Sequence, residues 1–259
     1  YVYLFTIYFM KKAILLGILV VVLIASCKKK KENPSCEAVE DGTIKLNLHH
    51  MVGPMAFEFN TDFTDDYGNN YQFTRADWYL RVPGFLEHDN ITPIVSTNTH
   101  FKIDPEVLEL TYGTIAPTAL HNMQWGVGVD STANHLDPNT YVTGSALSNQ
   151  SPSMHWGWSS GYIFCVLEGL VDIDGNGSYD PLETFALHVG MDSNYKDGDN
   201  LHVNSEVTDG GTTTIQLSVD YSAFIDSVDL SIENSTHTMD NMPLAMKIAN
   251  NFNKVLNLH

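Results

Sequence analysis

Thr43–His50 reads TIKLNLHH, and its alternation decides the fold class. In an extended chain, successive side chains point to opposite sides. Ile44, Leu46, Leu48 and His50 therefore share one face, and Thr43, Lys45, Asn47 and His49 share the other. The same parity separates two adjacent histidines, placing His50 with the apolar set and His49 with the polar set. Outward from this strand the text stays β. Met55, Phe57 and Phe59 repeat the pattern, and a turn is expected at Asp65–Asn70. Tyr71–Val82 reads as a second long strand ended by Pro83-Gly84.

Further along, His121, Met123, Trp125, Val127 and Val129 fall on one face of another strand, and Gly126 and Gly128 on its other face suggest close approach by another backbone. Tyr162–Val171 is almost uninterrupted apolar text, which predicts a strand buried on both faces. Thr184–Val189, Thr212–Tyr221 and Ser227–Ile232 complete a set of roughly eight to ten strands, the number of a sandwich. Pro243–Leu256 reads as a helix, with Leu244, Ile248, Phe252 and Val255 on one stripe and Pro at the first turn. The expectation is an all-β chain: a single antiparallel β-sandwich over residues 42–259 with a short C-terminal helix.

The 259 residues are 43% hydrophobic and 17% charged, an ordinary globular composition. Thirteen Lys and Arg against 31 Asp and Glu give a net charge of −18. That balance argues against nucleic acid, whose binding rests on phosphate neutralisation by basic groups, and suits cations or solubility. No G-x-S-x-G, H-E-x-x-H or Cys/His nucleophile arrangement is present, so the expectation is that the protein is not an enzyme.

Residues 1–27 read as an upstream extension plus a signal peptide. Met10-Lys11-Lys12 opens a basic region, Ala13–Ala25 is apolar, and Ile24-Ala25-Ser26-Cys27 closes it. This ending resembles a bacterial lipoprotein signal, which implies cleavage before Cys27 and its lipidation. A signal-anchor helix is the competing reading, but Lys11 and Lys12 interrupt its apolar run. Residues 28–41 follow as a polar tether. The implied location is extracytoplasmic, lipid-anchored to the outer membrane on its periplasmic or surface face. Cys36 and Cys165 remain, with no C-x-x-C spacing, and no structural disulfide is expected.

Asp172, Asp174, Asn176, Gly177, Ser178, Asp180 and Glu183 fit the twelve-residue D-x-[DN]-x-[DN]-G-x5-E pattern at every specified position. Oxygens at positions 1, 3, 5, 7, 9 and 12 wrap one hard cation, and the glycine allows the sharp turn between them. A solvated acidic turn is the plainer alternative. The flanks are strand-like, so the expected role is a structural Ca2+ pinning a connection between two strands.

Met154, Trp156 and Trp158 alternate beside a polar loop, Asn149–Ser153. By composition they are either core or a ligand-stacking ridge. The runs GTIKLNLHHMVG, GVGVDSTAN (Gly126–Asn134), M-x-W-x-W-x-x-G-Y (Met154–Tyr162), LEG (Leu167–Gly169), HVG (His188–Gly190) and KIANNF (Lys247–Phe252) together resemble the MbnP-like copper-binding family. The resemblance implies an extracytoplasmic β-sandwich that binds copper. It further implies oxidation of the first Trp of the W-x-W pair, here Trp156, to kynurenine by a partner di-haem peroxidase-like enzyme. The histidines it points to are His50 and His188, with Met154 as a soft ligand or wall, since imidazole and thioether suit copper. His188 shares its strand face with Thr184 and Ala186, not with the apolar set. His100 and His237 are polar-flanked, and a surface position explains them equally well. The competing function is a surface ligand- or carbohydrate-binding sandwich with calcium as its only metal.

Overall fold

Thr43–His50 is the centre of a longer strand, Gly42–Val52, in the structure, a computed structural model that describes residues 38–96, 98–157 and 160–259. The signal segment with Cys27, Cys36 and nearly all of the tether, and Trp158, lie outside the described residues. Val39–His259 forms one compact unit. The strands are β1 (Gly42–Val52), β2 (Met55–Ala56), β3 (Phe63–Thr64), β4 (Asn70–Leu86), β5 (Pro93–Ile94), β6 (His100–Ile103), β7 (Glu109–Ile115), β8 (Thr118–Val127), β9 (Ile163–Val171), β10 (Thr184–Gly190), β11 (Lys196–Asp197), β12 (Leu201–Val207), β13 (Thr212–Asp220), β14 (Ser235–Thr236) and β15 (Leu256–Leu258).

Among the described residues they make two sheets. The smaller has the order β15-β13-β1-β2, with β7 also on β1; the larger has the order β11-β8-β4-β9-β10-β14, with β3, β5 and β6 also paired to β4 and β12 to β8. The fold is an all-β sandwich, as expected, but its sheets are mixed and not purely antiparallel. β1 pairs in parallel with β13 from Thr43↔Thr212 to Met51↔Asp220, and β10 pairs in parallel with β14. Both pairs join strands remote in sequence, where no hairpin dictates direction.

The core lies between the sheets. β1 contributes Ile44, Leu46 and Leu48, all nearly inaccessible, on the face that alternation assigned to it. In β9, Phe164, Cys165, Val166 and Leu167 are all 0% exposed, so this strand is covered on both faces. Burial of each large side chain there stabilises the fold by about 1.5–3 kcal/mol. Cys165 is a free, buried thiol.

Four sequence expectations are corrected. Met55–Phe59 gives only the two-residue β2, and Met55 is 46% exposed. β4 does not stop at Pro83-Gly84: it runs on to Leu86 because its pairing with β8 slips between Arg81 and Gly84. The slip absorbs the proline's missing N–H, and Gly84 lies where a Cβ would sit 2.6 Å from the Ile94 carbonyl oxygen. Ser227–Ile232 is not a strand but a series of turns, with Ser227 at φ 63° and the Val228 N–H donating to the Ile225 carbonyl. The helix spans only Met242–Ala249; Phe252–Lys254 is a 3-10 turn, and Leu256 enters β15. The break falls at Asn251, whose side-chain amide donates to the carbonyls of Phe224 and Asp226. Gly126 and Gly128 do meet close neighbours: a Cβ at Gly126 would sit 2.6 Å from the Tyr195 hydroxyl, and one at Gly128 would sit 2.6 Å from the Phe164 ring.

Candidate metal centre

Met154–Gly157 pairs antiparallel with Gly161–Ile163, which leads into β9, through a bridge between His155 and Tyr162. The Ile163 N–H donates to the Met154 carbonyl (2.9 Å), and the Trp156 N–H to the Gly161 carbonyl (3.0 Å). The turn between them needs glycine twice, at Gly157 (φ 113°) and Gly161 (φ 72°). The base is clamped by Asn134, whose side-chain oxygen accepts from the Tyr162 N–H at 2.7 Å and whose amide donates to Asp192. The clamp fixes where Met154 and Trp156 lie. Met154 is 1% exposed, and its sulfur accepts from Arg75 Nη2 at 3.4 Å. Trp156 is half-buried, with its ring edge 2.8 Å from the point where a Cβ on Gly190 would stand. Packed this way, it is not a free stacking platform, and Trp78 and Trp125 are core residues.

Two residues before Gly190 on the same strand, His188 points outward. Its Nε2 lies 2.7 Å from Glu168 Oε1. A carboxylate only accepts, so Nε2 carries the proton and Nδ1 keeps a lone pair. Burial lowers the His188 pKa; Glu168 pulls it up, and His237 and Arg75 reinforce the lowering. The neutral ring, the form that binds metals, is thereby favoured. His237 meets His188 edge to face, with ring centres 4.7 Å apart. His237 Nδ1 lies 3.2 Å from Asp240 Oδ2, which leaves its Nε2 as the lone-pair nitrogen. Two imidazoles on one tetrahedral ion, each bound at about 2.0–2.1 Å, have ring centres about 5 Å apart. The ring-centre spacing of the pair is close to that value, and the Met154 thioether joins the cluster through Arg75, which contacts both Met154 and Glu168. Arg75 also contacts Asp77 (2.7 Å) and Glu168 (3.4 Å), so its positive charge is balanced within the cluster.

His50 is not brought to this place. Its Nε2 donates to the Val107 carbonyl at 2.8 Å, and its Nδ1 accepts from the Tyr221 hydroxyl at 3.1 Å. Both ring nitrogens are occupied, and burial lowers its pKa. It sits on the core side of the smaller sheet, linked through Tyr221 and Phe73 to Phe185 of β10. Phe185 points inward where His188 points outward, so β10 itself stands between the two histidines. Sequence reasoning paired His50 with His188; the geometry pairs His188 with His237. His100 is also no surface residue. It is 8% exposed, lies 3.1 Å from Asp130, and burial brings its pKa to about 4.

The acidic loop joins β9 to β10. Oxygens of Asp172, Asp174 and Glu183 lie within 4.8 Å of one another, and among the described residues this is the one group of three or more His, Cys, Asp or Glu side chains so arranged. Asp172 accepts from the N–H groups of Asn176 (3.0 Å) and Gly177 (2.9 Å), and Glu183 from those of Ile173 (3.0 Å) and Asp180 (2.8 Å). Gly175 and Gly177 take positive φ, 70° and 83°. Asn176 and Ser178 hydrogen-bond to each other, and the Asp180 carboxylate stays outside the group.

Comparison with known proteins adds to this picture. A family model described as MbnP matches residues 41–242. No curated protein matches the chain. Among solved structures, MbnP from Methylosinus trichosporium is similar at 14% identity, over 77% of this chain and 82% of that chain, with a TM-score of 0.47.

Proposed function

The chain belongs to the MbnP family, and on that premise we propose that it is a lipid-anchored, extracytoplasmic copper-binding protein that captures or hands on copper and is not itself an enzyme. Copper is held at the outer face of β10, by His188 and His237 with Met154 as thioether neighbour. Glu168 orients His188 and keeps its Nδ1 free for the metal. Trp156, packed on Gly190 two residues along β10 from His188, is the residue oxidised to kynurenine by a partner di-haem peroxidase-like enzyme. The anchor is the lipidated Cys27. A Ca2+ ion in the loop from Asp172 to Glu183 ties β9 to β10 and so steadies the strand that carries His188.

The observation that carries this reading is that β10 holds His188 against His237 and, two residues on, receives Trp156 at Gly190. Protein co-expressed with the partner enzyme tests it. Copper retained through dialysis, together with the intact-mass change of kynurenine at Trp156, is expected. Unmodified Trp156 with no retained copper contradicts it.

A further inference from the structure

The chain leaves the larger sheet just where His237 meets His188. β14 pairs in parallel with β10 through Ala186↔Ser235 and Leu187↔Thr236. The same register, carried on, sets His237 opposite His188 and Thr238 opposite Val189. In a parallel ladder the residue opposite Val189 bonds the carbonyl before it and the N–H after it, using its own backbone. Thr238 makes both bonds with its side chain instead. Its hydroxyl donates to the His188 carbonyl at 3.0 Å and accepts from the Gly190 N–H at 3.0 Å. Its backbone N–H is turned to the Thr236 hydroxyl, 3.0 Å away.

The exchange strains the backbone. Thr238 has φ 65°, and across it the Met239 N–H donates to the His237 carbonyl at 2.8 Å. A hydrogen bond closing three residues around a central positive φ marks the strained kind of γ-turn. A β-branched residue there is an outlier, and glycine is the easier choice. Thr238 is also 0% exposed. Strain of this kind persists only where the surroundings over-determine it, and such places cluster at functional sites. The two β10 residues that Thr238 bonds are His188 and Gly190, against which Trp156 packs. The His237 ring is held from the other end by Asp240, which accepts from the His237 N–H at 2.6 Å and lies 3.2 Å from its Nδ1.

We propose that Thr238 is the positioning residue of this centre: its hydroxyl, standing in for a backbone rung, holds the His237 turn on β10 and so sets the contact between the two imidazoles. Without the hydroxyl, the His188 carbonyl and the Gly190 N–H lose a partner that nothing else in the turn replaces. The strained turn then relaxes and carries His237 away. The step from ring contact to metal affinity rests on the copper reading above, since ligands already in place need no ordering when the ion arrives. The ring contact itself does not rest on it.

The test pairs NMR of the metal-free protein with copper titration against a chromophoric chelator, on Thr238→Ser, Thr238→Val and Thr238→Gly. Serine keeps the hydroxyl, and valine keeps the shape without it. Glycine lacks the hydroxyl but accepts the positive φ, so it folds even where valine does not. Cross-peaks between the ring protons of His188 and His237 are expected in the parent and in Thr238→Ser, and are expected to vanish in the other two. Copper affinity is expected to fall about 10–100-fold in those two and to be recovered in Thr238→Ser. Cross-peaks that persist in folded Thr238→Val or Thr238→Gly overturn the proposal. His188→Ala separates this outcome from failure of the copper reading. Copper binding indifferent to His188→Ala places the metal elsewhere, and the cross-peaks alone then decide what Thr238 does.

Discussion

Glu168 and His188 lie on neighbouring antiparallel strands, with the carboxylate oxygen 2.7 Å from the imidazole Nε2. That contact selects the tautomer in which Nδ1 is the free donor atom. Glu168→Gln keeps the size of the side chain but weakens the acceptor and removes its charge. Copper affinity, measured by competition with a chromophoric chelator, is expected to fall about 10–100-fold without loss of folding. Unchanged affinity would mean that Glu168 does not orient the ligand.

Trp156 rests on Gly190. A methyl at that position would meet the Trp156 ring at 2.8 Å and the Tyr162 carbonyl oxygen at 2.6 Å. The carbonyl is backbone and cannot swing away, so Gly190→Ala is expected to cost about 1–3 kcal/mol of stability. It should also displace Trp156 and lower its conversion by the partner enzyme. Urea unfolding and intact mass read the two effects separately.

Calcium is expected to raise the unfolding temperature, and EDTA to lower it. At a free concentration 100 times the dissociation constant the gain is about 2.7 kcal/mol. Glu183→Gln should abolish the response to Ca2+. It should also loosen the loop without calcium, because Glu183 accepts from the Ile173 and Asp180 N–H groups. A Glu183→Gln protein with an unaltered calcium response would remove the calcium assignment.

Stability is expected to fall as pH drops from 6.5 towards 4. Burial lowers the pKa of His50, His100, His155 and His188, His100 from 6.5 to about 4. In that window the unfolded chain takes up protons that the folded chain refuses, so stability present above about pH 6.5 is lost on acidification. His100 alone accounts for roughly 2–3 kcal/mol of this change. Thermal melts across the range should slope accordingly, and more shallowly in His100→Gln.

Much of this architecture is legible in the sequence, for identifiable reasons. β1 and β9 announce themselves because burial on one face or both writes directly into residue order. β4 hides its true length because a bulge lets a strand pass through Pro83-Gly84, and a bulge leaves no signature in composition. Ser227–Ile232 alternates like a strand, and Val228 and Leu230 are buried, yet its backbone closes turns instead of a ladder. At the site, Met154, Trp156 and His188 are singled out by the resemblance to the MbnP-like family, since alternation alone leaves the Met-Trp face open between core and ridge and sets His188 off the apolar face of its strand. His237 lies in an irregular turn, where no period places it, and only the fold reveals its contact with His188. The parity of His50 already aimed it at the core, where a histidine satisfied by Val107 and Tyr221 is the commoner outcome.

The most direct test of the central claim is copper titration of three single variants, His188→Ala, His237→Ala and His50→Gln, each shown to be folded by circular dichroism. The account predicts that His188→Ala and His237→Ala lose the tight copper equivalent and that His50→Gln retains it. Retention in His188→Ala together with loss in a folded His50→Gln protein would contradict it.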